Sequence, residues 1–192
     1  MIVFTHNIVF AWCLQNLAVE SNITFTVQPL ARMGDRVGIV RTKNQAWPGE
    51  PIKSRIGRLR LALQELEAVD RKGDIDRYEV DAKVLAGDLR EAWERAVEEL
   101  LFRGVVMRFQ RDVSARKIRD VVVTADLTRE VYEGMTETSP FHHEASLAKP
   151  IPTPTIDELK SFFGRLESFC GALRAKPAAA KKAVAEASDS AA

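Results

Sequence analysis

Three stretches of this 192-residue chain carry side chains of types and spacings that suit chemistry. The first is Thr5-His6-Asn7, which follows the apolar run Ile2-Val3-Phe4 and precedes a segment with apolar residues at helical spacing, Ile8 to Val19. A strand that opens onto a helix N-terminus is where an α/β sheet best receives phosphate, because free N–H groups and the positive end of the helix dipole meet there. An imidazole at that point donates a hydrogen bond to an anionic oxygen near neutral pH. Thr5 and His6 are therefore candidates for contact with an anionic group; the same pattern also fits a histidine that only caps or packs. The second stretch is His142-His143-Glu144. Neighbouring histidines on extended chain point in opposite directions, His6 is the only other histidine, and no cysteine lies nearby. No metal site is expected, and a structural or docking role is. The third is the basic run from Arg103 to Arg119, interleaved with Met107 and Phe109 and preceded by Phe102. Arg108, Arg111, Arg116 and Lys117 are its candidate nucleic-acid contacts. Glu98, Glu99, Asp112 and Asp120 dilute the charge, and a solvated basic face is the competing reading.

The elements that would hold these residues follow from periodicity. Ile2-Val3-Phe4 reads as a buried strand, and Asn7 as the N-cap of the helix that follows. Ile23 to Leu30 alternates with period two; with the Met33-Gly34-Asp35 turn and Arg36 to Arg41 it predicts a β-hairpin. Trp47-Pro48-Gly49-Glu50-Pro51 stops both helix and strand. Beyond it Ile52, Ile56, Leu59, Leu63 and Leu66 alternate spacings of four and three, and after Lys72-Gly73-Asp74 the pattern resumes at Ile75, Tyr78, Ala82, Leu85, Leu89, Ala92 and Ala96. That predicts an antiparallel helical hairpin with a coiled-coil seam, ending near Phe102 at Arg103-Gly104. Arg90, Glu91, Glu94 and Arg95 are assigned to its solvated face. A helix and then a strand over Asp120 to Thr124 are expected next, followed by a short helix over Leu127 to Gly134. After the Ser139–Glu144 loop and a Pro150–Pro154 spacer, Thr155 and Glu158 form a capping box for a last helix. Its apolar face is Ile156, Leu159, Phe162, Phe163, Leu166, Phe169 and Cys170, and a low-complexity tail is expected from Ala175.

The stretch Val3-Phe4-Thr5-His6-Asn7-Ile8-Val9-Phe10 resembles the switch-histidine segment of ABC-type ATPases, most closely in the SMC-like and RecF-like branch. The order of that segment, a β-hairpin, a two-helix insertion, Glu98-Glu-Leu-Leu-Phe-Arg-Gly-Val-Val-Met-Arg-Phe109 and a late Ser/His/His loop is similar to the C-terminal region of such proteins over most of residues 1–175. The resemblance implies that His6 is a catalytic residue that contacts a γ-phosphate, and that Thr5 with His6 contacts the nucleotide. It implies a helix-rich α/β fold with a partial P-loop ATPase sheet (strand, helix, β-hairpin), an antiparallel helical hairpin and C-terminal helices. The implied divisions are 1–50 for the ATPase remnant, 51–104 for the hairpin, 105–174 for a C-terminal α/β segment and 175–192 for a disordered tail. The chain departs from the family in lacking a Gly-x-x-x-x-Gly-Lys-Ser/Thr loop, a Ser-Gly-Gly signature and a hydrophobic run ending in Asp-Glu. It begins four residues before the motif's threonine.

The expectation is thus a C-terminal fragment or split subunit of an SMC-like ATPase linked to DNA repair or phage defence, unable to hydrolyse ATP alone. ATP and Mg2+ would bind only with a partner supplying the phosphate loop, either the missing N-terminal half or a homologous subunit, and DNA is a further candidate partner. The alternative is an interaction module built on the helical hairpin with no nucleotide role. Composition bounds both: 46% hydrophobic and 29% charged residues with a net charge of +1 describe a globular chain without global affinity for nucleic acid. No apolar run reaches the ~20 residues a bilayer span needs. Two cysteines, Cys13 and Cys170, make no disulfide framework, favour a reducing cytoplasm and are expected in or near the core.

Overall fold

The computed structural model describes residues 1–40, 50–107, 113–141 and 153–189. Ile52–Lys72 and Ile75–Ala96 form α2 and α3, joined by the predicted turn: Gly73 caps α2 at φ 71°, a left-handed conformation that glycine adopts without strain. Asp74 then caps α3, its carboxylate accepting from the Arg77 N–H at 3.2 Å. The seam is buried as its spacing required, from Ile52, Ile56, Leu59, Leu63 and Leu66 on α2 to Ala82, Leu85, Leu89, Ala92 and Ala96 on α3. Ile75 departs from it: at the first position of α3 it lies beyond the end of the packed seam and is exposed. After Ala96 the helix widens into a single π turn, Val97–Leu101, closed by Phe102 N–H donating to Val97 O at 2.8 Å. Arg103 (φ 52°) and Gly104 (φ 67°) then reverse the chain.

Two further helices cover one face of this hairpin. Helix α4, Ala125–Thr138, begins at Thr124, whose hydroxyl accepts from Leu127 N–H at 3.3 Å. It continues four residues past Gly134, into a 3-10 turn at Ser139–Phe141. Helix α5, Ile156–Asp189, starts with the predicted capping box: Thr155 N–H donates to Glu158 Oε2 at 2.8 Å and Glu158 N–H to Thr155 Oγ1 at 3.2 Å. Its inner face buries Leu159, Phe163, Leu166, Phe169, Cys170 and Leu173 against α2 and α3. The helix runs on through the alanine-rich segment expected as a tail, in keeping with the high helix propensity of Ala, Lys and Glu. Pro177 lies within it and has no N–H for the Leu173 carbonyl; Arg103 Nη2 donates to that carbonyl at 3.1 Å instead. Tyr78 Oη donates to Pro154 O at 3.0 Å, tying the far end of the hairpin to the start of α5.

Trp93 is the centre of this packing. It is fully buried, its ring 4.9 Å from that of Phe169 and tilted 45° to it. Helix α4 crosses it at Gly134, where an added Cβ would lie 2.3 Å from Trp93 Cζ2. Only a residue without a side chain allows that approach. Thr138, one turn on, is also fully buried and satisfies its hydroxyl by donating to Gly134 O at 3.0 Å.

The first forty residues behave differently. Helix α1, Ile8–Glu20, has the predicted Asn7 cap, with Asn7 Oδ1 accepting from Phe10 N–H at 3.1 Å. Strands β1 (Leu30–Met33) and β2 (Arg36–Val40) form an antiparallel hairpin with pairs Leu30–Val40 and Ala31–Ile39. The predicted strand at Ile2-Val3-Phe4 is absent, and the first hairpin strand is confined to its last residue and the three that follow. A strand needs a hydrogen-bonded neighbour, and among the described residues only β1 and β2 find one. The strand expected over Asp120 to Thr124 fails for the same reason: Ala115–Asp120 is a 3-10 turn and residues 121–124 run extended without a ladder. The molecule is therefore helix-rich with a small two-stranded sheet. Among the described residues none of 1–40 is buried, and neither α1 nor the β-hairpin shares an extended interface with the helical body.

Gly134→Ala is expected to destabilise the body by about 1–3 kcal/mol in urea unfolding, since overpacking against Trp93 outweighs the ~1 kcal/mol helix-propensity gain. Unchanged or increased stability would show that α4 does not depend on this approach.

A candidate site around the π turn

The π turn at the end of α3 organises two features, a buried ionic network on one side and an apolar groove on the other. Single π turns inserted in α-helices are frequent at functional positions, because the extra residue re-aims the side chains around it. Here it places Glu99 at the start of α2. Pro51 occupies the N-cap of α2 without a side-chain acceptor, and Glu99 Oε2 accepts from Ile52 N–H at 3.1 Å. A carboxylate is favoured there by the helix dipole. Arg95, with its side chain 7% exposed, holds the same carboxylate at 2.5 Å and Glu98 at 3.4 Å.

One turn away the network continues. Arg55 is almost fully buried, donating through Nε to Glu50 O at 3.1 Å and through Nη1 to Glu91 O at 3.2 Å. Glu50, equally buried, pairs with Arg58 at 3.0 Å. Asp88 faces this group from α3, so three carboxylates (Glu50, Asp88, Glu91) meet two guanidiniums (Arg55, Arg58). Burial, and then repulsion from Glu91, push the Asp88 carboxyl up to about 6, against the opposing pull of Arg58 and Arg55. The sequence assigned Arg95 to a solvated face and did not single out Glu50, Arg55 or Asp88. The available signal was position: Arg55 sits one residue before Ile56, three after Ile52, at the edge of the seam.

On its other side the π turn borders a groove of about 520 Å³. Val97, Phe102, Val105, Val106, Ile118, Val121 and Met135 line it, with Glu94 and Glu98 as its polar members. Those two carboxylates are engaged by Arg90 at 2.7 Å and Arg95 at 3.4 Å. Phe102, Val106 and Ile118 are 40%, 54% and 55% exposed. Arg116 and Lys117, on the adjoining 3-10 turn, are solvent-exposed, as is Arg119, which lies 4.0 Å from Asp120. The surroundings suit an apolar occupant more than a polyanion.

The other residues singled out by the sequence lie elsewhere. Thr5 and His6 are exposed on the bend before α1, where Thr5 Oγ1 accepts from Asn7 N–H at 3.0 Å. They belong to the arm formed by the first forty residues, and Arg116 and Lys117 to the body. Arg108, Arg111, His142, His143 and Glu144 lie outside the described residues, as do Trp47-Pro48-Gly49 and Pro150-Ile-Pro152. Among the described residues no group of three or more His, Cys, Asp and Glu is arranged to hold a metal ion, and no helix is long and apolar enough to cross a membrane. Cys13 is exposed rather than near-core, because α1 is not packed into the body; Cys170 is buried, and burial raises its thiol to about 11, where it is unreactive near neutral pH. Comparison of the chain with protein families, characterised proteins and solved structures gives no match.

Asp88 supplies a test of the network. Its folded value of about 6 lies above the ordinary 3.8, so the folded protein binds this proton more tightly than the unfolded chain does. Stability from this group therefore rises as pH falls from about 6 towards 3.8, and the ionised form destabilises above that window. Asp88→Asn is expected to stabilise the protein by about 1 kcal/mol near pH 7.5, after discounting for partial exposure, and to flatten the acid-side rise in melting temperature. A variant less stable than the parent near pH 7.5 would show that the ionised carboxylate is favourable in place.

Proposed function

We propose that this chain is a partner-dependent component of an SMC-like ATPase, a C-terminal or split-off part in which the Thr5–His6 turn contacts the γ-phosphate of ATP held on another polypeptide. The observation that supports this is the state of the arm: Thr5, His6 and Asn7 form a hydrogen-bonded turn at the mouth of α1, yet the segment has no described buried residue. Ile2 and Phe4 are 83% and 87% exposed in it. An apolar arm with an ordered cap and no core of its own suits docking onto a surface supplied from outside. In that reading the partner brings the phosphate loop, the magnesium ligand and the catalytic base, and the helical body is the platform from which the arm extends. A role in DNA repair or phage defence follows from the same resemblance, and DNA contact through Arg116 and Lys117 is its subsidiary element.

A second reading, an interaction module using the helical hairpin alone, draws on a different observation. The seam of the hairpin is consumed by α4 and α5, but Leu61, Val80 and Val84 remain 61%, 62% and 59% exposed on its outer surface. In that reading His6 has no role.

The two separate on His6. The purified chain is expected to show no ATP hydrolysis; with a partner that carries a phosphate loop, His6→Ala should lower the turnover of the mixture by roughly 10²-fold while leaving complex formation intact, the scale of losing one preorganised donor to transition-state charge. ATP hydrolysis by the chain alone, lost in His6→Ala, would overturn the partner-dependent reading. Unaltered turnover of the mixture would favour the interaction module.

A further inference from the structure

Two apolar surfaces of this chain are uncovered among the described residues. Helix α1 presents Phe10, Cys13 and Leu17 on one stripe, at spacings of three and four, and all three are exposed. From Ile8 to Val19 it contains no charged residue. The groove beside the π turn is walled by Val97, Phe102, Val105, Val106, Ile118 and Met135. Its carboxylates, Glu94 and Glu98, are already engaged by Arg90 and Arg95, so nothing in the groove calls for a charged occupant. Binding a helix through side chains at i, i+3 and i+7 is an established way of filling such a groove, and an uncharged helix matches an apolar floor with neutralised carboxylates.

We propose that α1 of one copy of this chain seats its Phe10–Cys13–Leu17 stripe in the π-turn groove of a second copy, giving a symmetric dimer by reciprocal exchange. In the single chain α1 shares no extended interface with the helical body, so the helix does not occupy its own groove. Each copy carries one helix and one groove; reciprocal exchange fills both and closes the assembly, as two-fold contacts do. Nine residues on each side of the β-hairpin, between Glu20 and Glu50, can together span up to about 60 Å when extended, so the tether permits the exchange. The proposal is independent of the nucleotide reading, which concerns Thr5 and His6 on the turn before α1.

Light scattering coupled to size-exclusion chromatography tests it. The unmodified chain is expected to elute as a dimer at micromolar concentration. Leu17→Asp on the helix and Val106→Asp in the groove should each give a monomer with an unchanged far-ultraviolet circular dichroism spectrum. Mixing the two variants should restore a dimer, because one helix and one groove remain intact. In a chain carrying Val121→Cys, mild oxidation should join Cys13 to the introduced thiol between chains, seen as a doubled mass on a non-reducing gel. A monomeric unmodified chain, a dimer that survives both aspartate substitutions, or a disulfide formed only within one chain would overturn the proposal. Unaltered turnover of the partner mixture in His6→Ala, with the dimer retained, would count against the nucleotide reading and leave this proposal standing, so the two readings fail separately.

Discussion

The close approach of α4 to Trp93 is the constraint on which the helical body depends. The indole occupies the space where α3, α4 and α5 meet, and α4 reaches it only because residue 134 has no side chain. Burying an indole is among the larger single contributions a core can contain, and truncating one typically costs about 3–5 kcal/mol. The indole Nε1–H has no hydrogen-bond partner among the described residues, so part of that gain is offset by an unsatisfied donor. What α4 gains by packing tightly is a fixed height over α3, and that height sets the opposite wall of the groove, because Met135 is the residue next to Gly134.

The ionic network fixes the other end of the hairpin. Buried ion pairs seldom stabilise a fold more than apolar residues of similar shape would, yet breaking one leaves a charge stranded. The pairs Arg58–Glu50 and Arg55–Glu91 therefore act more as a register than as a source of stability. Arg55 donates to two backbone carbonyls, Glu50 O and Glu91 O, and this joins the lead-in of α2 to the second turn from the end of α3. Glu99 completes the join by capping a helix to which it does not belong. On the outer surface the arrangement is looser: Arg165 of α5 faces Glu130, Glu133 and Glu137 of α4, with the nearest pair at 2.8 Å, and these partly exposed contacts contribute little individually.

How far the sequence foretold this differs by element, for physical reasons. The hairpin of α2 and α3, its glycine turn and the capping box of α5 were legible because each depends on residues a few positions apart. Strands were not, because pairing is a property of two segments: Ile2-Val3-Phe4 and residues 121–124 have strand composition but no neighbour to bond among the described residues. The groove and the network were hidden for a related reason. Val97, Ile118 and Met135 belong to three separate elements, and Arg95 is indistinguishable from Arg90 in a pattern until the π turn shifts the residues after it. The Thr5–His6–Asn7 turn was legible as a helix cap, and Asn7 and Thr5 do make the corresponding hydrogen bonds. Its chemistry rests on a resemblance.

The corner at residues 97–104 concentrates the departures from regular backbone. It combines a π turn, a non-glycine residue at φ 52° in Arg103 and a left-handed Gly104. Such conformations cost on the order of 1 kcal/mol or more each and persist where surrounding contacts fix them. The contacts here come from three directions: Phe102 N–H to Val97 O, Gly104 N–H to Glu98 O at 2.9 Å, and the Arg103 guanidinium to the Leu173 carbonyl that Pro177 leaves unbonded. A straight continuation of α3 would have needed none of them, but it would also have carried Phe102, Val105 and Val106 away from Ile118 and Met135. The strained corner and the groove are thus one feature, and the arginine that steadies the corner also makes the proline in α5 tolerable.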